Sequence, residues 1–124
     1  MENKNEAFSI KQRIKSFGYA IKGIKVIITT QHNAWIHLLA TIIVIIGGII
    51  LKISKGDWFM LTVAISLVWI TEALNTAIEF MIDMVQPGHH HLAEKAKDVA
   101  AAAVLIAAIA AIVIGAIVFL PKFI

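Results

Sequence analysis

From Val99 to Leu120 the chain carries no charged residue, and this stretch restricts the possible folds more than any other feature. A helix rises about 1.5 Å per residue and the hydrocarbon of a bilayer is about 30 Å thick, so about 20 such residues cross it. Two further apolar stretches, Ala34 to Leu51 and Trp58 to Val85, are long enough to span, the second with polar interruptions. Composition excludes the water-soluble alternative: 60% of the 124 side chains are apolar and 15% charged, against roughly 45–50% and 25% in soluble domains. A chain this short cannot enclose so much apolar surface in its own core. The bilayer is its solvent.

The connections agree. Lys52 to Asp57 is a tight link in which Asp57 is placed to cap the second span before Trp58. Gln86 to Lys97 opens with Pro87-Gly88, a helix stop. Spans are expected at 33–52, 58–84 and 97–120, within one domain covering residues 1–124. Ahead of them, Ile10, Ile14, Phe17, Ile21, Ile24 and Ile28 recur at three- and four-residue steps, which predicts a helix over about 8–28. Lys11, Lys15 and Lys22 share a flank of it, the pattern of a helix lying in the membrane interface. Taken alone, that helix reads most simply as a surface anchor. No short apolar core precedes a small-residue cleavage site, so a secretory signal peptide is not expected. The expected fold is an all-α membrane protein, with an N-terminal amphipathic surface helix and three transmembrane helices.

Charge sets the orientation. Lys4, Lys11, Arg13, Lys15, Lys22 and Lys25 precede the first span and Lys95 and Lys97 the third, while the opposite side holds only Lys52, Lys55 and Lys122. The excess predicts a cytoplasmic N-terminus, a cytoplasmic second loop and an external C-terminus in the cytoplasmic membrane, with Trp58 and Phe59 at the outer interface. A net charge of +3 in such a chain points to loop topology and anionic lipid rather than nucleic acid. The absence of cysteine removes disulfides, thiolate metal sites and cysteine nucleophiles together.

Chemistry concentrates in the second span. At 100° per residue, Glu72, Glu79 and Asp83 fall within about 40° of one another, with Asn75 about 60° from Glu72 at the edge of that face. No Lys or Arg occurs between Lys55 and Lys95, so the acids have no basic partner on their own helix. A charge at the centre of a span costs at least about 2.5–3.5 kcal/mol and commonly marks function. Counted from Trp58, Glu72 lies about 21 Å along the helix and Glu79 about 31 Å, toward the cytoplasmic headgroups. Carboxylates and an amide are hard oxygen ligands that suit Mg²⁺ with phosphates completing its shell. The competing structural reading is interhelical hydrogen bonding in an oligomer.

Lys97 and Asp98 supply the complementary charge, at the expected N-terminal end of the third span, where free N–H groups and Lys97 would welcome phosphate. On its own, the Lys95 and Lys97 pair reads as a topology signal. His89, His90 and His91 are consecutive, and consecutive loop residues rarely converge on one ion, so contact with a nucleotide or with solvent is expected of them. His37 is expected to hydrogen-bond between helices, and Trp35 and Trp69 to face lipid or pack.

The run Glu72-Ala73-Leu74-Asn75-Thr76-Ala77-Ile78-Glu79, then Asp83, His90 and Ala96-Lys97-Asp98-Val99-Ala100-Ala101-Ala102-Ala103-Val104, resembles the prokaryotic diacylglycerol kinase family, which includes undecaprenol kinases. The likeness covers nearly the whole chain, from Gly18-Tyr19 and Lys22-Gly23 onward. It implies a homotrimer with composite active sites, ATP as co-substrate, Mg²⁺ as cofactor and a membrane lipid alcohol as substrate. Glu72 would be the general base on the lipid's primary hydroxyl, Asn75 would support lipid and base, and Ala101 would lie beside the substrate. Glu79 would hold the magnesium of MgATP. Lys97 and Asp98 would contact the nucleotide, Tyr19, His89 and His90 would line its side of the site, and Asp83 would hold that end. Three positions depart from the family pattern. Gln31 stands where a second metal-ligating Glu is usual, able to offer a carbonyl oxygen but no charge; Gln12, with Arg13 beside it, replaces an arginine; and Ala20 replaces a serine. Two other classes compete with a lipid kinase: a small proton-coupled transporter, and a non-catalytic oligomeric membrane subunit. No Walker loop or protein-kinase signature is present.

Overall fold

The structure, a computed structural model, describes residues 7–124; Lys4, counted above for orientation, lies outside them. The described residues form four helices: α1 (Ile10–Thr30), α2 (His32–Ile50), α3 (Lys55–Val85) and α4 (His91–Phe119), the last running into a 3₁₀ turn at Leu120–Lys122. The last three are long and apolar enough to cross a membrane.

Local chemistry explains each boundary. Ser9 caps α1, its hydroxyl accepting from the Gln12 N–H. Gln31, extended at φ −110°, is the single residue between α1 and α2. α2 ends in a Schellman arrangement: the Lys52 N–H reaches the Ile49 carbonyl and the Ile53 N–H the Gly48 carbonyl. This turn places Lys52 at φ 51°, in the left-handed region where glycine is usual. Asp57 is not the cap of α3. Ser54 takes that role, accepting from the Asp57 N–H, while the Asp57 carboxylate accepts from the Ser54 N–H. The pair is a reciprocal capping box that starts α3 at Lys55, three residues earlier than apolarity alone suggests.

α2 and α3 run antiparallel, with Gly48 against Trp58, Thr41 beside Trp69 and His37 beside Glu72. A Cβ on Gly48 would sit 2.7 Å from the Trp58 ring, so only glycine admits this approach. α4 returns antiparallel along α3 in the most extensive interface of the fold. Ile53, Leu61 and Val118 form the apolar core at the end near the α2–α3 turn, with Trp58, Ile114 and Phe119 packed on them. The buried side chains toward the other end include Glu72, Asn75 and Thr76. The outer flanks stay apolar and exposed, as at Leu39, Ile43 and Ile50 on α2 and Ile106, Ile109 and Ile112 on α4.

Candidate functional site

Glu72 is 0% exposed, the largest fully buried side chain among the described residues. Its Oε2 lies 3.3 Å from His37 Nε2 on α2. Its Oε1 has no hydrogen-bond partner, and neither does Asn75 Oδ1 one turn further on. Leaving a buried acceptor unpaired costs about 1–3 kcal/mol, so orphans of this kind call for an explanation such as a ligand. The acidic stripe thus lacks a basic partner on α3 but finds an imidazole on α2. That pairing was available in outline: folding the first two spans about the Lys52–Asp57 link sets position 37 opposite position 72.

The imidazole is itself confined. Trp69 meets it edge-on, with ring centroids 6.1 Å apart at 72°. The Trp69 indole N–H donates to Thr41 Oγ1 at 3.1 Å, and the Thr41 hydroxyl donates to the His37 carbonyl at 2.7 Å. Trp69 is therefore a polar contact between helices, more than a packing residue.

Further along α3, Asn75 Nδ2 donates to Glu79 Oε1 at 3.3 Å, and Asp83 Oδ1 accepts from Lys97 Nζ at 2.6 Å. Of the three acids expected at the site, Asp83 thus meets Lys97 of α4 and Glu79 is held within α3, whereas Glu72 faces α2. Lys97 does not stand at a helix N-terminus, however. α4 begins at His91, so the backbone N–H of Lys97 lies inside the helix, in its second turn. The segment Leu92 to Lys97 is too polar to read as a span, yet Leu, Ala, Glu and Lys are strong helix formers, and helix extends beyond the apolar stretch. What Lys97 offers an anion is its side chain.

His90 caps α4, its Nδ1 accepting from the Leu92 N–H at 3.1 Å. A neutral His90 with Nδ1 as acceptor carries its proton on Nε2. His89 Nε2 lies 3.8 Å from Glu94, and the His90 and His91 rings stack at 4.7 Å. No group of three or more His, Asp or Glu among the described residues could hold a metal by itself. A cleft of about 320 Å³ opens above Pro87-Gly88, walled by His89, His90, Glu94, Lys97 and Asp98. A second, apolar groove of about 600 Å³ runs between α3 and α4, past Asn75, Ile78, Lys95, Val99 and Ala100.

Three expected site residues stand apart from these. Tyr19 is exposed on α1 with Lys22 Nζ 5.8 Å from its ring centre. Gln31 lies at the α1–α2 junction, its amide nitrogen 3.5 Å from Thr30 Oγ1, and makes no hydrogen bond to Glu79 among the described residues. Ala101 is exposed on α4, outside the lining of the apolar groove.

Comparison with known proteins points one way. The family model described as prokaryotic diacylglycerol kinase matches residues 18–119. The undecaprenol kinase of Bacillus subtilis is 36% identical over 98% of this chain and 99% of its own length. A diacylglycerol kinase of Synechocystis is 41% identical over 86% of this chain and 61% of its own length. The diacylglycerol kinase of Escherichia coli K12 is 32% identical over 91% of each.

Proposed function

The chain belongs to the prokaryotic diacylglycerol kinase family and is a lipid kinase, and from that premise we propose that it moves the γ-phosphoryl group of ATP onto the primary hydroxyl of diacylglycerol or undecaprenol. The observation that carries the residue roles is Glu72: a wholly buried carboxylate with one oxygen held by His37 and the other unpartnered. A lipid hydroxyl donating to Oε1 would satisfy that orphan. Glu72 then takes the proton as the hydroxyl oxygen attacks phosphorus, the step for which a general base contributes about 10²–10⁴-fold. Asn75, with its own orphaned Oδ1 and its amide on Glu79, supports the hydroxyl and ties base to nucleotide side.

Lys97 neutralises charge on the phosphoryl group in flight, held in readiness by Asp83. His89, His90 and Asp98 border the same cleft; Tyr19, exposed on α1 and apart from it within one chain, would reach the nucleotide from a neighbouring copy. The donor set fits magnesium. Glu79 is a half-buried carboxylate one helical turn from Asp83, and Mg²⁺ is usually held by one or two carboxylates with phosphates supplying the rest. Gln31 adds at most a neutral carbonyl oxygen. When bound, the ion offsets phosphate charge and orients the transferring group.

Three copies assemble with α1 in the membrane interface and sites shared between neighbours, the N-terminus facing the cytoplasm and Ala101 lying beside the lipid. The alanine-rich α4 and the uncovered apolar flanks support close packing against other helices. A one-chain cleft of about 320 Å³, at the lower end of the ligand-pocket range, supports completion by a neighbour. The test is a vesicle assay with radiolabelled ATP over a panel of lipid alcohols. Label should pass to diacylglycerol or undecaprenol with the wild type, and Glu72→Gln should cut turnover about 10²–10⁴-fold. Undiminished turnover in Glu72→Gln removes Glu72 as the base.

A further inference from the structure

Two oxygens of one carboxylate are not equivalent at Glu72. Oε2 faces His37 Nε2 at 3.3 Å, and Oε1 is buried with no partner. An ionised carboxylate can only accept, so the imidazole nitrogen facing it is the one that bears hydrogen. At 3.3 Å the bond is long, as hydrogen bonds at unliganded catalytic sites commonly are. The imidazole cannot swing away freely. Trp69 braces its ring from the side, and Trp69 reaches Thr41, whose hydroxyl returns to the His37 backbone. Trp69 and Glu72 are three residues apart on α3, so together they grip one turn of α2 from His37 to Thr41.

We infer that His37 is the positioning residue of the general base: by holding Oε2 of Glu72, it fixes the carboxylate so that Oε1 alone faces the substrate hydroxyl. The inference rests on the reading of Glu72 as base. In the transfer, the hydroxyl proton ends on Oε1, the hydroxyl oxygen bonds to phosphorus as the bond to ADP breaks, and His37 keeps its own Nε2 proton throughout. A purely structural His37 would join α2 to α3 and leave the chemical step alone. A positioning His37 acts on that step.

The experiment compares His37→Leu, His37→Gln and Glu72→Gln in the full-length protein in lipid vesicles, varying MgATP and lipid alcohol separately. His37→Leu should lower kcat about 10- to 100-fold, with KM for MgATP changed less than about twofold, because the loss falls on the transition state. His37→Gln, whose amide nitrogen can replace Nε2 as donor, should recover most of kcat. Adding His37→Leu to Glu72→Gln should cost nothing further, as expected for two residues acting as one unit. A kcat of wild-type size in His37→Leu overturns the inference, and so does a His37→Gln protein that folds but is no faster than His37→Leu. The ring-nitrogen resonance of His37, assigned by its loss in His37→Gln, gives a readout independent of turnover. It should shift on Glu72→Gln, and an unmoved resonance overturns the pairing. Full activity in Glu72→Gln removes the base and this inference together, whereas an inactive Glu72→Gln beside a fully active His37→Leu removes only the inference.

Discussion

Lys97 is the side chain whose role turns most on geometry. Its ammonium group and the Asp83 carboxylate are each more than a third exposed, so their 2.6 Å contact adds about 0–1 kcal/mol to stability at most. On the proposed reading its worth lies in readiness. Lys97→Met should lower kcat about 10²–10³-fold, the usual cost of deleting one charge-stabilising group, while the unfolding midpoint in detergent stays near that of the wild type. A parallel fall in both would reassign Lys97 to structure. At this scale much was legible beforehand: helical spacing alone sets Glu72, Asn75, Glu79 and Asp83 along one edge, and the structure has Asp83 meeting Lys97. His37 was legible as a hydrogen-bonding residue between helices, which the structure bears out, but its partner Glu72 was not, because hydropathy registers only a polar interruption in a span.

Among the elements, the α2–α3 hairpin depends on close approach at one point. Gly48→Leu would force a side chain into space already filled by the Trp58 ring and Ile53, and overpacking of this kind costs about 1–3 kcal/mol. Thermal unfolding in detergent should show the drop, with kcat of the folded fraction unchanged because Gly48 lies at the opposite end of the hairpin from His37. Element existence followed from apolar length, but the starts of α3 and α4 did not. Ser54 and His90 cap helices at points where the chain is still polar, and hydropathy reports where lipid begins, not where the hydrogen-bonded spiral begins. Lys52 in a left-handed turn was equally hidden, since no glycine flags that position.

For the whole molecule, orientation can be tested directly because the chain has no native cysteine to interfere. Lys55→Cys should react with a membrane-impermeant maleimide on intact cells, and His89→Cys only after lysis; the reverse pattern would place the acidic edge outside. Three membrane-length helices were readable from composition and spacing, because burial in lipid leaves the simplest of all signatures. How copies meet is not written in the same way. Surfaces such as Leu39 and Ile109 are apolar whether they touch acyl chains or another subunit.

The two ends of the bundle are packed by different rules. Around Trp58 and Val118 the helices are clasped by apolar contact and a reciprocal cap, whereas around Glu72 they are joined by a few directional polar bonds. With Glu72 as the base, inherited variation would meet separate filters at the two poles: near Trp58 it would change mainly how much protein survives, and near Glu72 mainly how well each surviving copy works. On that reading a lineage could retune the chemistry at one pole without eroding the scaffold secured at the other.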